Sequence, residues 1–394
     1  MIDSTALDRF AALLGPKGFI TDPDAIAPWA RDWRGRYHGA APALLAPADT
    51  AEVAAAVALA AAAGTPLVPQ GGNTSMVGGA TPPADGSALI LSLRRMNRIR
   101  SLSADDNLAV AEAGVILSDL HDAAEAAGRR FPLSLGAKGS ATVGGLVSTN
   151  AGGTQVLRFG TMRALVAGVE AVLPDGTLFN GLSALRKDNR GYDLAQLLIG
   201  AEGTLGVVTA AALRLVPAAV DRAVAWVGLD TPHTALALLR RLEAALPGGI
   251  ESFELIPADS LGRVLRHIPG ARAPLAGAHR WHALIELVGA DARERLEGAL
   301  AAALAAGLGE DAVVALNRAQ EEAFWRLRHS ISEAERASGP AAQHDISVPV
   351  AAMPDFLLQA ATAIEAEFPG TQASGFGHLG DGNVHFHVRA PAGS

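Results

Sequence analysis

Cysteine is absent from all 394 residues, so disulfides, thiol catalysis and cysteine-ligated iron–sulfur clusters are excluded. Basic residues are in the minority, 32 Lys and Arg against 40 Asp and Glu, leaving a formal net charge of −8. Nucleic-acid binding relies on a basic footprint that releases counterions, and is excluded as a bulk partnership. Long apolar runs are missing too. Hydrophobic residues make up 49% of the chain, many of them alanine, but the most apolar stretch, Ala51 to Ala63, is too short to span a bilayer and carries Glu52. An integral membrane protein is therefore not expected. The N-terminus, Met-Ile-Asp-Ser-Thr-Ala-Leu-Asp, places acids where a secretory signal has its basic region, which reads as a cytoplasmic location.

Glycine, by contrast, is plentiful, with 43 residues, and concentrates in two stretches. The first runs from Pro66 to Gly79 and contains Pro69-Gln70-Gly71-Gly72-Asn73-Thr74-Ser75 and Gly78. The second contains Gly136, Gly139, Ser140, Gly144 and Gly145, then Thr149, Asn150, Gly152 and Gly153. Bare backbone and small hydroxyls let amide N–H groups approach a ligand, and successive turn amides form nests that hold a pyrophosphate. A short apolar strand running into such a turn is the arrangement of a phosphate cradle. Ordinary flexible turns are the alternative for either stretch alone. Neither is a G-x-x-x-x-G-K-[ST] loop, and neither sets G-x-G-x-x-G between a strand and a helix, so Walker and Rossmann sites are set aside.

Towards the C-terminus, His378 and His385 flank a Gly-Asp-Gly-Asn turn. Neutral imidazoles bind zinc well, and a tight turn brings them together. The spacing is not one of the tight zinc patterns, and two ligands do not complete a site, so a polar hairpin is the alternative. Upstream, Phe324 to Ala334 reads as a helix with Arg328 and Ser332 one turn apart on one face. The planar guanidinium fork matches a carboxylate. A solvated surface arginine is the competing reading.

Pro69 to Gly79, Pro132-Leu133 through Ser140, Lys187 to Leu194, and Gly200 to Val207 with Glu202, Gly203 and Gly206 resemble the FAD-binding domain of the vanillyl-alcohol oxidase superfamily, the p-cresol methylhydroxylase type. Within it the chain most resembles D-2-hydroxyglutarate dehydrogenases, D-lactate dehydrogenases and the FAD subunit of glycolate oxidase, in order from Asp32 to His387. The resemblance implies an α+β protein: an FAD-binding domain over 1–219, and over 220–394 a cap domain with an antiparallel sheet and helices on one face. FAD would be held by the two glycine-rich stretches and by 202–207, without a covalent link, because the Gly71 to Gly79 loop has no histidine or cysteine. His378 and His385 would ligate a divalent metal, zinc, completed in the family by the glutamate of a Glu-His-Gly element. No Glu-His-Gly occurs up to Ser394, so either the chain is C-terminally incomplete or the site is lost or supplied differently.

By the same resemblance Arg328 and Ser332 anchor the substrate acid, with Gln343 and Asn383 completing the substrate set. Gln343 stands where lysine is usual and His387 where asparagine is common, which weakens the case for a dicarboxylate. His387 and His344 are the fallback candidates for the catalytic base. The implied reaction is hydride transfer from a D-2-hydroxy acid to flavin N5, with electrons passing to electron-transferring flavoprotein or a quinone or cytochrome route, in a possible homodimer. A catalytically incomplete flavin-binding subunit, or a relative oxidising an alcohol or sugar, remain open alternatives.

Locally, Asp49 or Thr50 caps a helix running to Gly64, and strands are expected around Leu67, at Leu89 to Leu93 and at Leu108 to Glu112. Asp175-Gly176 signals a hairpin. Beyond Pro217, strands at Ala223 to Leu229, Ile250 to Leu255 and Trp281 to Val288 alternate with amphipathic helices.

Overall fold

In the computed structural model, which describes residues 2–183, 185, 187–219 and 221–391, the chain divides into two compact units. One consists of Met1–Gly153 and Phe159–Ala218; the other takes Thr154–Arg158 together with Ala219–Ser394. Val220 and Ser394, the limits of the second expected domain, lie outside the described residues.

The first unit holds two main sheets. Leu44–Leu45, Leu89–Ser92 and Leu67–Gln70 pair in parallel, with Phe19–Ile20 antiparallel at the edge. Helix Thr50–Ala63 starts at Asp49, whose side chain accepts from the Glu52 N–H, and stops at Gly64 in the left-handed region, as capping chemistry requires. Its small side chains let Val53, Ala56, Val57 and Ala60 share one core with Phe10, Leu89 and Leu91. The second sheet is antiparallel, in the order Ile99–Ser103, Leu108–Glu112, Val207–Arg214, Val166–Val172, Leu178–Asn180. Its last two strands form the hairpin that Asp175-Gly176 signals. Two buried carboxylates, Glu112 and Glu170, are both met by Arg100, at 3.3 and 3.0 Å, since a buried charge without a partner is strongly destabilising. No helix among the described residues is long and apolar enough to cross a membrane.

The second unit is built on a seven-stranded antiparallel sheet, in the order Asp311–Val314, Arg222–Leu229, Trp281–Val288, Ile250–Pro257, Gln372–His378, Asn383–Arg389, Ala341–Ser347. Helices cover both faces, where the sequence reading expected one. Ala223, Ala225 and Val227 pack under Pro232–Ala245, Ala292–Ala305 and Met353–Glu367; Val224 and Trp226 pack under Ala258–His267, Arg318–His329 and Ile331–Ala337. The reason lies in Arg222–Leu229 itself: every residue after Arg222 is buried, and a strand apolar on both faces needs cover on both.

On the second of these faces His282 is buried beside Trp226, ring centroids 5.8 Å apart, with its Nδ1 unpartnered. Burial, and then the nearby His279, push the imidazole down from 6.5 to about 4. Between these values the unfolded chain takes up a proton that the folded protein excludes. Stability therefore falls as pH drops through this window, by up to about 3 kcal/mol from this one group. Urea unfolding between pH 7 and pH 4 (roughly the span set by the reference value for histidine) is expected to show a shallower loss in His282→Leu than in the parent; parallel curves would contradict this assignment.

Candidate functional site

Several loops of the first unit meet through backbone contact. A Cβ at Gly72 would overlap the Ser140 carbonyl oxygen, and one at Gly153 the Ser134 carbonyl oxygen, so only glycine permits these approaches. Gly71 lies against Thr142 and Gly145, and Gly203 against Pro69. In this way Pro69 to Gly78, Pro132 to Gly145, Thr149 to Gly153 and Glu202 to Val207 come together, although they are far apart in the chain. Asn73, Asn150 and Glu202 adopt positive φ, at 52°, 48° and 51°. The asparagines are pinned there: Asn73 Nδ2 donates to the Arg31 carbonyl at 2.8 Å, and Asn150 Oδ1 accepts from the Arg163 N–H at 2.9 Å. Gln70 is buried and donates to the Trp29 and Ala80 carbonyls, each at 2.9 Å. It fastens the loop and does not offer its amide N–H groups outward.

Unspent donors remain. The backbone N–H groups of Gly72, Asn73, Thr74 and Ser75 meet no acceptor among the described residues, and Thr142 Oγ1 is buried without a partner. Gly136 and Gly139 have open space at Cα. Consecutive free amides beside a buried hydroxyl suit pyrophosphate oxygens and the polar edge of a ring. These residues fit FAD.

In the second unit, directly opposed residues of antiparallel strands share a face. The pairs Glu254 with His378, Phe376 with His385, Asp345 with His385 and Gln343 with His387 therefore turn to the same side of the sheet. Arg328 reaches this side from helix Arg318–His329. It is buried, its Nε donates to Glu254 Oε2 at 2.7 Å, and its guanidinium lies 5.2 Å from the Phe376 ring centre. The other Glu254 oxygen meets His378 Nδ1 at 2.5 Å. Glu254 is fully buried, which by itself would raise its pKa, but the charges of Arg328 and His378 outweigh burial and hold the carboxyl well below the usual range. The His378 and His385 rings stand 5.8 Å apart, and His385 Nδ1 lies 3.5 Å from Asp345. Desolvation lowers the His385 imidazole, keeping it neutral and able to accept a proton. Each of the two imidazoles meets a carboxylate through Nδ1 and keeps Nε2 for another partner. The two terminal nitrogens of Arg328 likewise meet no acceptor among the described residues.

His387 lies on this side too, with Nδ1 3.2 Å from Glu335, which also binds Arg389 and Arg263. His344 does not. It opposes Phe386, whose ring belongs to the core on the other side, so strand alternation turns it away from His385 and His387. Ser332 also departs from expectation: one helix ends at His329 and the next begins at Ile331, leaving Ser332 exposed while Arg328 is buried. The stripe Phe324, Leu327, Ile331 and Ala334 decides which residues turn inward. Asn383 donates to Asp345 at 2.7 Å and to the Ile346 carbonyl at 3.2 Å, so it orients Asp345. No group of three or more His, Cys, Asp or Glu among the described residues is placed to hold a metal ion, and His378 with His385 alone do not complete a coordination sphere. Glu254 escaped the sequence reading. Its signal was an acid inside the apolar strand Ile250–Pro257, since a charge there demands a buried partner.

Residues 41–181 match the FAD binding domain family, and residues 219–393 match the C-terminal domain of FAD linked oxidases. The mitochondrial D-2-hydroxyglutarate dehydrogenase of Arabidopsis thaliana is 36% identical over 394 residues, covering 99% of this chain and 69% of that one. The Bos taurus protein of the same name is 38% identical over 99% of this chain and 70% of its own length, and the D-2-hydroxyglutarate dehydrogenase of Xanthomonas citri pv. viticola is 36% identical over 94% and 78%. Among solved structures, p-cresol methylhydroxylase superposes with a TM-score of 0.76 at 16% identity, covering 98% of this chain and 82% of that one. Alkyldihydroxyacetonephosphate synthase gives 0.74 at 16% identity, over 99% and 81%. These two share the fold alone. With both domains matched in order and relatives of this identity along nearly its whole length, the chain belongs to the FAD-linked oxidases, in the family of the D-2-hydroxyglutarate dehydrogenases.

Proposed function

We propose that this chain oxidises a D-2-hydroxy acid to the corresponding 2-oxo acid with FAD as its cofactor. The observation that carries the reading is Arg328, a buried guanidinium with two unshared terminal nitrogens, beside imidazoles whose Nε2 positions are unspent. A carboxylate seated on that fork brings the adjoining hydroxyl-bearing carbon towards His378 and His385. Oxidation removes the C2 hydrogen as hydride and the hydroxyl hydrogen as a proton. The proton passes to Nε2 of His385, which desolvation keeps neutral, and Asp345 behind it stabilises the resulting imidazolium. FAD, which the backbone around Gly72, Ser140, Thr142 and Gly145 would hold, would supply the hydride acceptor.

At the other end of the same face, Gln343 opposes His387, and Glu335 already engages Arg263, Arg389 and His387. A second substrate carboxylate would meet a neutral amide there, so a D-lactate-like monocarboxylate suits this face better than a dicarboxylate. Electron-transferring flavoprotein, or a quinone or cytochrome route, as acceptor, and a homodimeric assembly, complete the proposal on the strength of the resemblance alone.

FAD-loaded protein mixed anaerobically with D-lactate or D-2-hydroxyglutarate should lose its yellow colour, while the L-enantiomers leave it intact. A yellow protein that no D-2-hydroxy acid bleaches would instead be an incomplete flavin-binding subunit. Arg328→Lys keeps the charge but loses the fork, and kcat/KM is expected to fall by roughly 100-fold with flavin content unchanged; unchanged kcat/KM would remove Arg328 from the site. Gly72→Ala should lower stability by about 1–3 kcal/mol and empty the protein of FAD. Gly298→Ala, at an exposed position with open space on helix Ala292–Ala305, should do neither, and equal flavin content in both variants would contradict the cradle.

A further inference from the structure

We propose that Glu254 is the positioning residue of the substrate site: its carboxylate decides which nitrogens of Arg328 face an incoming acid and, through its second oxygen, where His378 stands. The inference rests on the reading of Arg328 as the carboxylate anchor.

Glu254 sits within Ile250–Pro257, paired on one side with Leu284 and on the other with His378, and its side chain is fully buried. Two flanking strands immobilise its backbone, so the carboxylate is a fixed point. One oxygen takes the Arg328 Nε–H at 2.7 Å and the other meets His378 Nδ1 at 2.5 Å. A guanidinium gripped through Nε presents its terminal nitrogens on the far side, and the Phe376 ring 5.2 Å away restricts how its plane turns. An arginine carries large rotamer freedom, and an unanchored one would have to be ordered by the substrate itself. Glu254 removes that burden before the acid arrives. The same contact fixes Nε2 as the outward nitrogen of His378, so one side chain sets the anchor and an imidazole in mutual register. Among the described residues, no other side chain makes an ion pair with both.

The test uses the full FAD-loaded chain. Glu254→Asp keeps the charge and withdraws the carboxylate by one methylene; Glu254→Gln keeps the length and removes the charge. For each, flavin content, kcat and KM with D-lactate and D-2-hydroxyglutarate are measured. The inhibition constant of 2-hydroxy-2-methylpropanoate, an acid with no C2 hydrogen to lose, and the thermal shift it induces are measured alongside. In Glu254→Asp we expect full flavin content, with KM and the inhibition constant raised about tenfold or more and kcat reduced by less than about threefold. A flavin-loaded Glu254→Asp or Glu254→Gln whose KM and inhibition constant stay within about twofold of the parent overturns the proposal. Arg328→Lys separates the two layers. If it raises the inhibition constant and the Glu254 variants do not, only the role of Glu254 fails; if it too leaves the constant unchanged, the anchor reading itself fails. Should both single variants lose flavin, the thermal shift that the analogue induces in flavin-free protein is compared between parent and Glu254→Asp. A shift in the parent that the variant lacks supports the proposal, and equal shifts overturn it.

Discussion

A carboxylate with no access to water, caught between a guanidinium and an imidazole, is the interaction on which the second unit depends. Glu254 is fully buried, and a bare charge at that depth is unaffordable in free energy, so Arg328 and His378 must stand where they do. The constraint runs outward from there. His378 is held opposite Glu254 by strand pairing, His385 lies 5.8 Å from it, and Asp345 backs His385. The contacts that neutralise one buried acid also orient a guanidinium fork and an imidazole.

The first unit solves a different problem by different means. Its glycine-rich loops meet through backbone, and their free donors are positioned by that close approach. Gly72 against Ser140 and Gly153 against Ser134 leave no room for a side chain, while free amides and the buried Thr142 hydroxyl point to a polar guest. Side-chain identity matters little here, and sterics at Cα matter a great deal.

What the chain makes legible follows from the range of the forces involved. Thr50–Ala63, the hairpin at Asp175-Gly176 and the strand Trp281–Val288 emerge from capping, turn chemistry and apolar runs, all local signals. The glycine clusters are local signals as well, and the loops they mark come together. Helices on both faces of the second sheet were also written in Arg222–Leu229, whose unbroken apolar run leaves no polar face for solvent. Register is another matter. That His387 and His344 face opposite sides depends on pairing with Gln343 and Phe386 across strands distant in sequence. The partnership of Glu254 with Arg328 and His378 spans 74 and 124 residues, beyond any local pattern, and Ser332 is turned outward by the packing of Ile331 and Ala334.

The most direct measurement of the central claim is a crystal structure of the FAD-loaded protein with 2-hydroxy-2-methylpropanoate bound. The account requires the acid's carboxylate on the terminal nitrogens of Arg328, its hydroxyl towards Nε2 of His378 or His385, and Glu254 still holding Arg328 Nε. An acid bound elsewhere, or an Arg328 that abandons Glu254 to reach it, would contradict the account.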